Sequence, residues 1–159
     1  MSTDAKHLFV EQLQELLHAD RISRDATKAM AEHASSDALK TALDNGVCGI
    51  GDGIEVVEGL LQKHGASTDG RSNAGMEGLV ADSVRGALDR EFKDADARDD
   101  AIIMHFQRFT HFGLASYAAL CASAKRIGLS DDAETLATCL NNAGDGKTEM
   151  QAILDNRGQ

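Results

Sequence analysis

The sequence predicts an all-α protein: a four-helix bundle of two antiparallel hairpins, with a short accessory helix in the crossover between them. Three observations carry this. The 159 residues include no proline and only 4% are aromatic, a composition that favours long helices over strands and tight turns. Apolar residues recur at spacings of three and four along the chain, the period of one face of a helix. Only two or three residues separate the first segment from the second and the fourth from the fifth. Each such pair must fold back on itself as a hairpin.

The elements follow in chain order. A first helix is expected over residues 4–33, capped around Ser2-Thr3-Asp4, with Phe9, Leu13, Leu16, Leu17 and Met30 on its apolar stripe. A second, over 36–64, starts at Ser36 and carries Leu39, Leu43, Val47, Ile50, Ile54, Val57 and Leu61 as a packing seam. Lys63 and His64 suit its last turn, and Gly65 ends it. The polar stretch Ala66 to Asn73 reads as a loop. A shorter helix over 74–92 carries Met76, Val80, Val84 and Leu88. The acidic run Asp94 to Asp100 suits the start of a fourth helix, 95–127, because negative charge is favoured at a helix N-terminus. Its seam runs Ile103, Phe106, Thr110, Gly113, Tyr117, Leu120 and Ala124, and Gly128 stops it. A fifth helix over 130–156 carries Leu136, Leu140, Ala143, Met150 and Leu154. Residues 1–159 thus read as one domain, in the hairpin–connector–hairpin order of a ferritin-like bundle with one long crossover.

Composition also excludes functions. Sixteen Lys and Arg against 26 Asp and Glu give a net charge of −10, which leaves no cationic excess for nucleic acid or anionic membrane surfaces. No run of 18 apolar residues exists to span a bilayer. The N-terminal MSTDAKHLFVEQLQ lacks the basic and apolar regions of a secretory signal, so a cytoplasmic protein is expected. Cys48, Cys121 and Cys139 form no CxxC or CxxH pairing. They read as reduced, partly buried thiols. No nucleophile elbow or phosphate loop is present, and GVCGIGDG (Gly46 to Gly53) lacks the GxxxxGK[ST] pattern.

The seams carry residues that a plain structural bundle would not choose. Asp20 continues the apolar stripe of the first helix, four residues after Leu16. A carboxylate there must be neutralised, hydrogen-bonded or metal-bound, unless the stripe drifts and brings it to water. The second helix contains Gly46, Gly49, Gly51, Gly53 and Gly59; five interior glycines cost roughly 4–5 kcal/mol relative to alanine. Close helix contact, a break in the helix or space for a ligand must account for them. Thr110 and Gly113 on the fourth helix, and Ala143 and Gly146 on the fifth, put further small residues at the level of Asp20. Tight packing and a vacated site are the two readings of that pattern.

Several segments resemble the YciE/YciF group of bacterial ferritin-like proteins: LFVEQLQELLHADR (Leu8 to Arg21), GMEGLVADS (Gly75 to Ser83), RDDAIIMHFQRFTHFGLASYAAL (Arg98 to Leu120) and IGLSDDAETLATCL (Ile127 to Leu140). The resemblance implies a ferritin-like bundle, often a homodimer, linked to bacterial stress. It also implies carboxylates with His or Gln at the bundle centre, in the manner of dinuclear metal proteins. At those positions this chain departs from the pattern. Asp20 stands at the first-helix Glu position, and Cys48 and Gly51 at the second-helix pair. Thr110 and Gly113 occupy the fourth-helix positions, and Asn142, Ala143 and Gly146 the fifth, while Asp82 keeps an acid in the short helix. One Asp cannot balance two divalent ions. The expectation is therefore a non-catalytic bundle without a cofactor.

Two other readings stay open. A displaced site could hold iron or manganese through Asp20, Asp52 or Glu55 and a histidine such as His111, making a metal-dependent oxidoreductase or metal-storage protein. Alternatively the room left by Gly49, Gly51 and Gly113 beside Phe106 and Tyr117 could take a small ligand. Lys147, four residues after Ala143, could instead place its ammonium against Asp20.

Overall fold

The computed structural model describes residues 3–69 and 71–157. Within them the chain forms α1 (Ala5–His33), α2 (Asp37–Lys63), α3 (Ala74–Ser83), α4 (Ala95–Arg126) and α5 (Ser130–Asp155). Ser2, part of the cap expected for the first helix, lies outside the described residues; Asp4 is the cap, accepting from the His7 N–H. Ser36, Asn73 and Asp94 accept in the same way from the third residue beyond each of them, satisfying amides that have no partner within the helix. Gly65 and Gly128 close α2 and α4 with φ of 66° and 81°, a left-handed conformation that glycine adopts at no steric cost. No described helix is long and apolar enough to cross a membrane.

α1 pairs with α2 and α4 with α5; contacts of α1 with α4 and of α2 with α5 close the bundle, and α3 lies against α1 and α4. The apolar interior falls into two clusters. One, at the end where α1 begins, contains Phe9, Leu13, Leu17, Val57, Leu61 and Leu136. The other, at the α1–α2 turn, contains Met30, Leu39, Leu43, Ile102, Ile103 and Met150. A polar pin marks each end. At the first, His64 Nε2 lies 2.6 Å from Asp132 Oδ2 while Lys63 donates to Oδ1. Burial pushes the Asp132 carboxyl up, but these two partners outweigh it and hold it below the usual carboxylate range. At the second, the Asp99 carboxylate accepts the N–H groups of Ser35 and Ser36 at 2.8 and 2.9 Å, and Arg157 donates to it as well.

One expectation needs correction and one open question is closed. The third helix does not reach Phe92. It widens into one π turn at Val84–Leu88, with the Asp89 N–H donating to the Val84 carbonyl, and stops. The widened turn sets Gly86 against the His105 ring, where a Cβ would come within 2.5 Å of Nε2, and Phe92 leaves the helix to lie under the guanidinium groups of Arg90 and Arg98. His105 is buried by the same contact. Finally, α2 runs unbroken through all five of its glycines.

Candidate functional site

Between the two apolar clusters the bundle is hollow. A cavity of about 540 Å³ is bounded by all four long helices. Asp20 and Ser23 of α1 reach it, with Gly46, Gly49, Asp52 and Gly53 of α2, Phe106, Phe109, Thr110, Gly113 and Tyr117 of α4, and Cys139, Asn142, Ala143, Asp145, Gly146 and Glu149 of α5. The exposed residues among these (Gly49, Asp52, Asn142, Asp145 and Glu149) belong to α2 and α5. The mouth therefore opens between those helices, and Asp20, Ser23, Phe106 and Tyr117 form the deep end.

Asp20 stays on the buried stripe of α1, with 8% of its surface exposed. The Tyr117 hydroxyl donates to its Oδ2 at 2.7 Å; Oδ1 accepts no hydrogen bond from the described residues. Loss of water around the carboxyl pushes its pKa up to about 7, against the lowering effect of the Tyr117 bond. Burial and the adjacent carboxylate push the Tyr117 hydroxyl far up, so it remains a neutral donor. Burial and Asp20 likewise push the Cys139 thiol up to about 11, which makes it a poor nucleophile at neutral pH.

Two glycines make the Asp20–Tyr117 contact and its neighbour possible. A Cβ on Gly53 would sit 2.7 Å from the Tyr117 hydroxyl, and one on Gly46 would sit 2.9 Å from the Phe106 ring. Gly49, Gly113 and Gly146 differ: a Cβ there would meet nothing within 4 Å. The first pair serves close approach, and the other three border open space.

The expected interior positions on α2 are displaced by one residue. Cys48 is exposed, and neither it nor Gly51 borders the cavity; Gly49, Asp52 and Gly53 do. The seam is weakest at mid-helix, where Val47 and Ile50 are only half-buried. Thr110, Gly113 and Ala143 border the cavity. Of the candidates for a displaced metal site, Asp20 lies at the bottom, Asp52 at the mouth, and Glu55 and His111 outside, both exposed. The His111 Nδ1 lies 2.8 Å from the Gln107 carbonyl oxygen, and His18 pairs with Glu77 of α3 instead of approaching Asp20. Lys147 makes no ion pair with Asp20 among the described residues; the Tyr117 hydroxyl holds that place. Asp82 pairs with Arg85 and Arg108 near the π turn.

This donor set does not fit a dinuclear carboxylate centre. Among the described residues no three His, Cys, Asp or Glu side chains come close enough to hold one metal ion. The acids bordering the cavity other than Asp20 are solvent-exposed, and among the described residues no histidine borders it. The partner of Asp20 was missed from the sequence, although a signal existed: Tyr117 is the one tyrosine in the chain and sits on the buried seam of α4. A buried phenol needs a hydrogen-bond partner.

Comparison with known proteins agrees with this architecture. Residues 4–159 match the family described as a domain of unknown function, DUF892. The chain belongs to that family. Its fold is similar to that of the Escherichia coli stress protein YciF, with a TM-score of 0.90 at 19% identity, covering 98% of this chain and 97% of that one. It is similar also to YcfI from Rhodopseudomonas palustris, for which a structural role has been suggested, with a TM-score of 0.87 at 24% identity over 93% of each chain. No curated protein matches the sequence. The resemblance to the YciE/YciF group, stated above on sequence segments, is thus shown for family and fold.

Proposed function

We propose that this DUF892 protein is a non-catalytic ferritin-like bundle that has exchanged a dinuclear metal centre for a small-molecule cavity. One observation carries the reading: at the level where four helices converge stands a hollow of about 540 Å³, bordered mostly by glycines, apolar side chains and a single buried carboxylate. That volume falls within the roughly 300–1,000 Å³ of small-molecule sites, which pair apolar walls with a few placed polar groups. The expectation that the protein takes no iron or manganese is supported by the chemistry of the lining. Thr110, Gly113, Ala143 and Gly146 offer no anionic oxygen, Asp52, Asp145 and Glu149 stand exposed at the mouth, and only Asp20 is buried, whereas divalent ions of this kind need several converging carboxylates. Likeness to the stress protein YciF supports a stress-linked role. Family resemblance supports assembly as a homodimer in the cytoplasm, which sedimentation velocity and fractionation test.

Titration of ¹⁵N-labelled protein with small aromatic probes, neutral and charged, tests the cavity itself. At least one probe is expected to shift the amide signals of Gly49, Gly113 and Cys139. Gly113→Leu, which places a side chain in open space, is expected to abolish that response. A panel in which no probe binds, or in which the shifts lie elsewhere, contradicts the reading.

A further inference from the structure

The cavity has a charge preference as well as a size. Its deep end presents Asp20 Oδ1, which accepts no hydrogen bond from the described residues although the side chain is more than nine-tenths buried. Its mouth carries Asp52, Asp145 and Glu149, and among the described residues no Lys, Arg or His borders the cavity. A neutral hydroxyl can donate to this oxygen but leaves the carboxylate charge without a counter-charge, so its bond is the weaker one. An anion would meet four carboxyl groups and no cation. A protonated amine supplies a charged donor, and Phe106, Phe109 and Tyr117 border the same cavity with apolar surface for the body of such a molecule.

We propose that the cavity binds a small organic ammonium ion with an apolar body, its N–H group donating to Asp20 at the deep end and its apolar part lying among the aromatic rings and glycines. The acidic mouth raises the local concentration of such cations and turns anions away. The inference rests on the cavity reading above and adds the chemical class of the occupant. Binding is tied to pH, because a cation favours the ionised form of Asp20. The groups facing that carboxyl are Tyr117 from α4, Cys139 from α5 and, at the mouth, Asp52 from α2. Tyr117 and Cys139 stay neutral between pH 6 and 8. Over that interval an alkylamine probe stays charged, so its affinity rises as Asp20 loses its proton.

Isothermal titration with three probes of one shape tests this: 2-phenylethylamine as the cation, 2-phenylethanol as the neutral form and phenylacetate as the anion. At pH 8 the amine is expected to bind at least ten-fold tighter than the alcohol, and phenylacetate not to bind. Asp20→Asn keeps the shape and an oxygen for the Tyr117 hydroxyl. It is expected to weaken the amine at least ten-fold and change the alcohol less than two-fold. Asp52→Asn, at the exposed mouth, is expected to weaken the amine less than three-fold, which separates Asp20 from general attraction to an acidic surface. Equal binding of amine and alcohol, or an amine affinity unchanged in Asp20→Asn, overturns the charge assignment while the cavity reading stands. Failure of all three probes overturns both.

Discussion

The ends of this bundle and its middle are built from the same four helices yet obey different rules. At each end, large side chains such as Leu17, Leu61, Leu43 and Ile103 are fully enclosed, and a buried carboxylate is satisfied by several donors: Asp132 by Lys63 and His64, Asp99 by two backbone amides and Arg157. In the middle, small residues border empty space and the buried carboxylate of Asp20 has one donor. A helix seam can therefore keep its period while its content changes. The ends supply the stability that lets the middle remain hollow.

Three substitutions sharpen that contrast, from the largest expected effect to the smallest. Truncation of the packed ends, Leu17→Ala or Leu43→Ala, should lower unfolding free energy by about 2–5 kcal/mol in urea titrations. Asp99→Ala strips the partner from the α1–α2 turn and from Arg157, and should cost about 3 kcal/mol.

Asp20→Asn should act in the opposite direction, and only above acidic pH. The folded protein holds the Asp20 proton up to about pH 7, against an unperturbed value of 3.8. Between these values the folded state binds the proton more tightly than the unfolded state. Its contribution to stability is complete below about pH 4 and is lost as pH rises through 7. The amide carries no such loss, so Asp20→Asn should match the parent near pH 4 and exceed it by about 2–4 kcal/mol at pH 8. Parallel denaturation curves at the two pH values check this; an equal offset at both would remove Asp20 as the titrating group.

Glycines on α2 divide the smallest effects by sign. Gly49→Ala should stabilise by about 0.5–1 kcal/mol, since its new methyl group meets open space and alanine favours the helix. Gly53→Ala should destabilise by about 1–3 kcal/mol, because the methyl group collides with the Tyr117 hydroxyl. Thermal denaturation of the pair reads both.

Helix number, order and pairing were legible in the sequence because long amphipathic stripes and two short turns leave little choice. The π turn was not: nothing in VRGAL marks it, and it arises from the fit of Gly86 to His105 on another helix. The place of Asp20 after Leu16 and Leu17 left burial and a drift to water both open, and its partnership with Tyr117 depends on how α1 and α4 are staggered, which no single-helix pattern encodes. On α2 the positions that the resemblance implied, Cys48 and Gly51, do not border the cavity, and glycines contribute no apolar marker that would set the register from the sequence. The true cavity face, Gly46, Gly49 and Gly53, is visible only as an absence of side chains.

The central claim is that a lone buried carboxylate in a hollow has replaced a metal-binding interior. It is tested most directly by purifying the protein without chelators, equilibrating it anaerobically with Fe(II) or Mn(II), removing free metal by gel filtration, and measuring metal per chain by mass spectrometry. The account predicts bound iron or manganese far below one ion per chain; a stable pair of ions per chain, lost in Asp20→Asn, would contradict it.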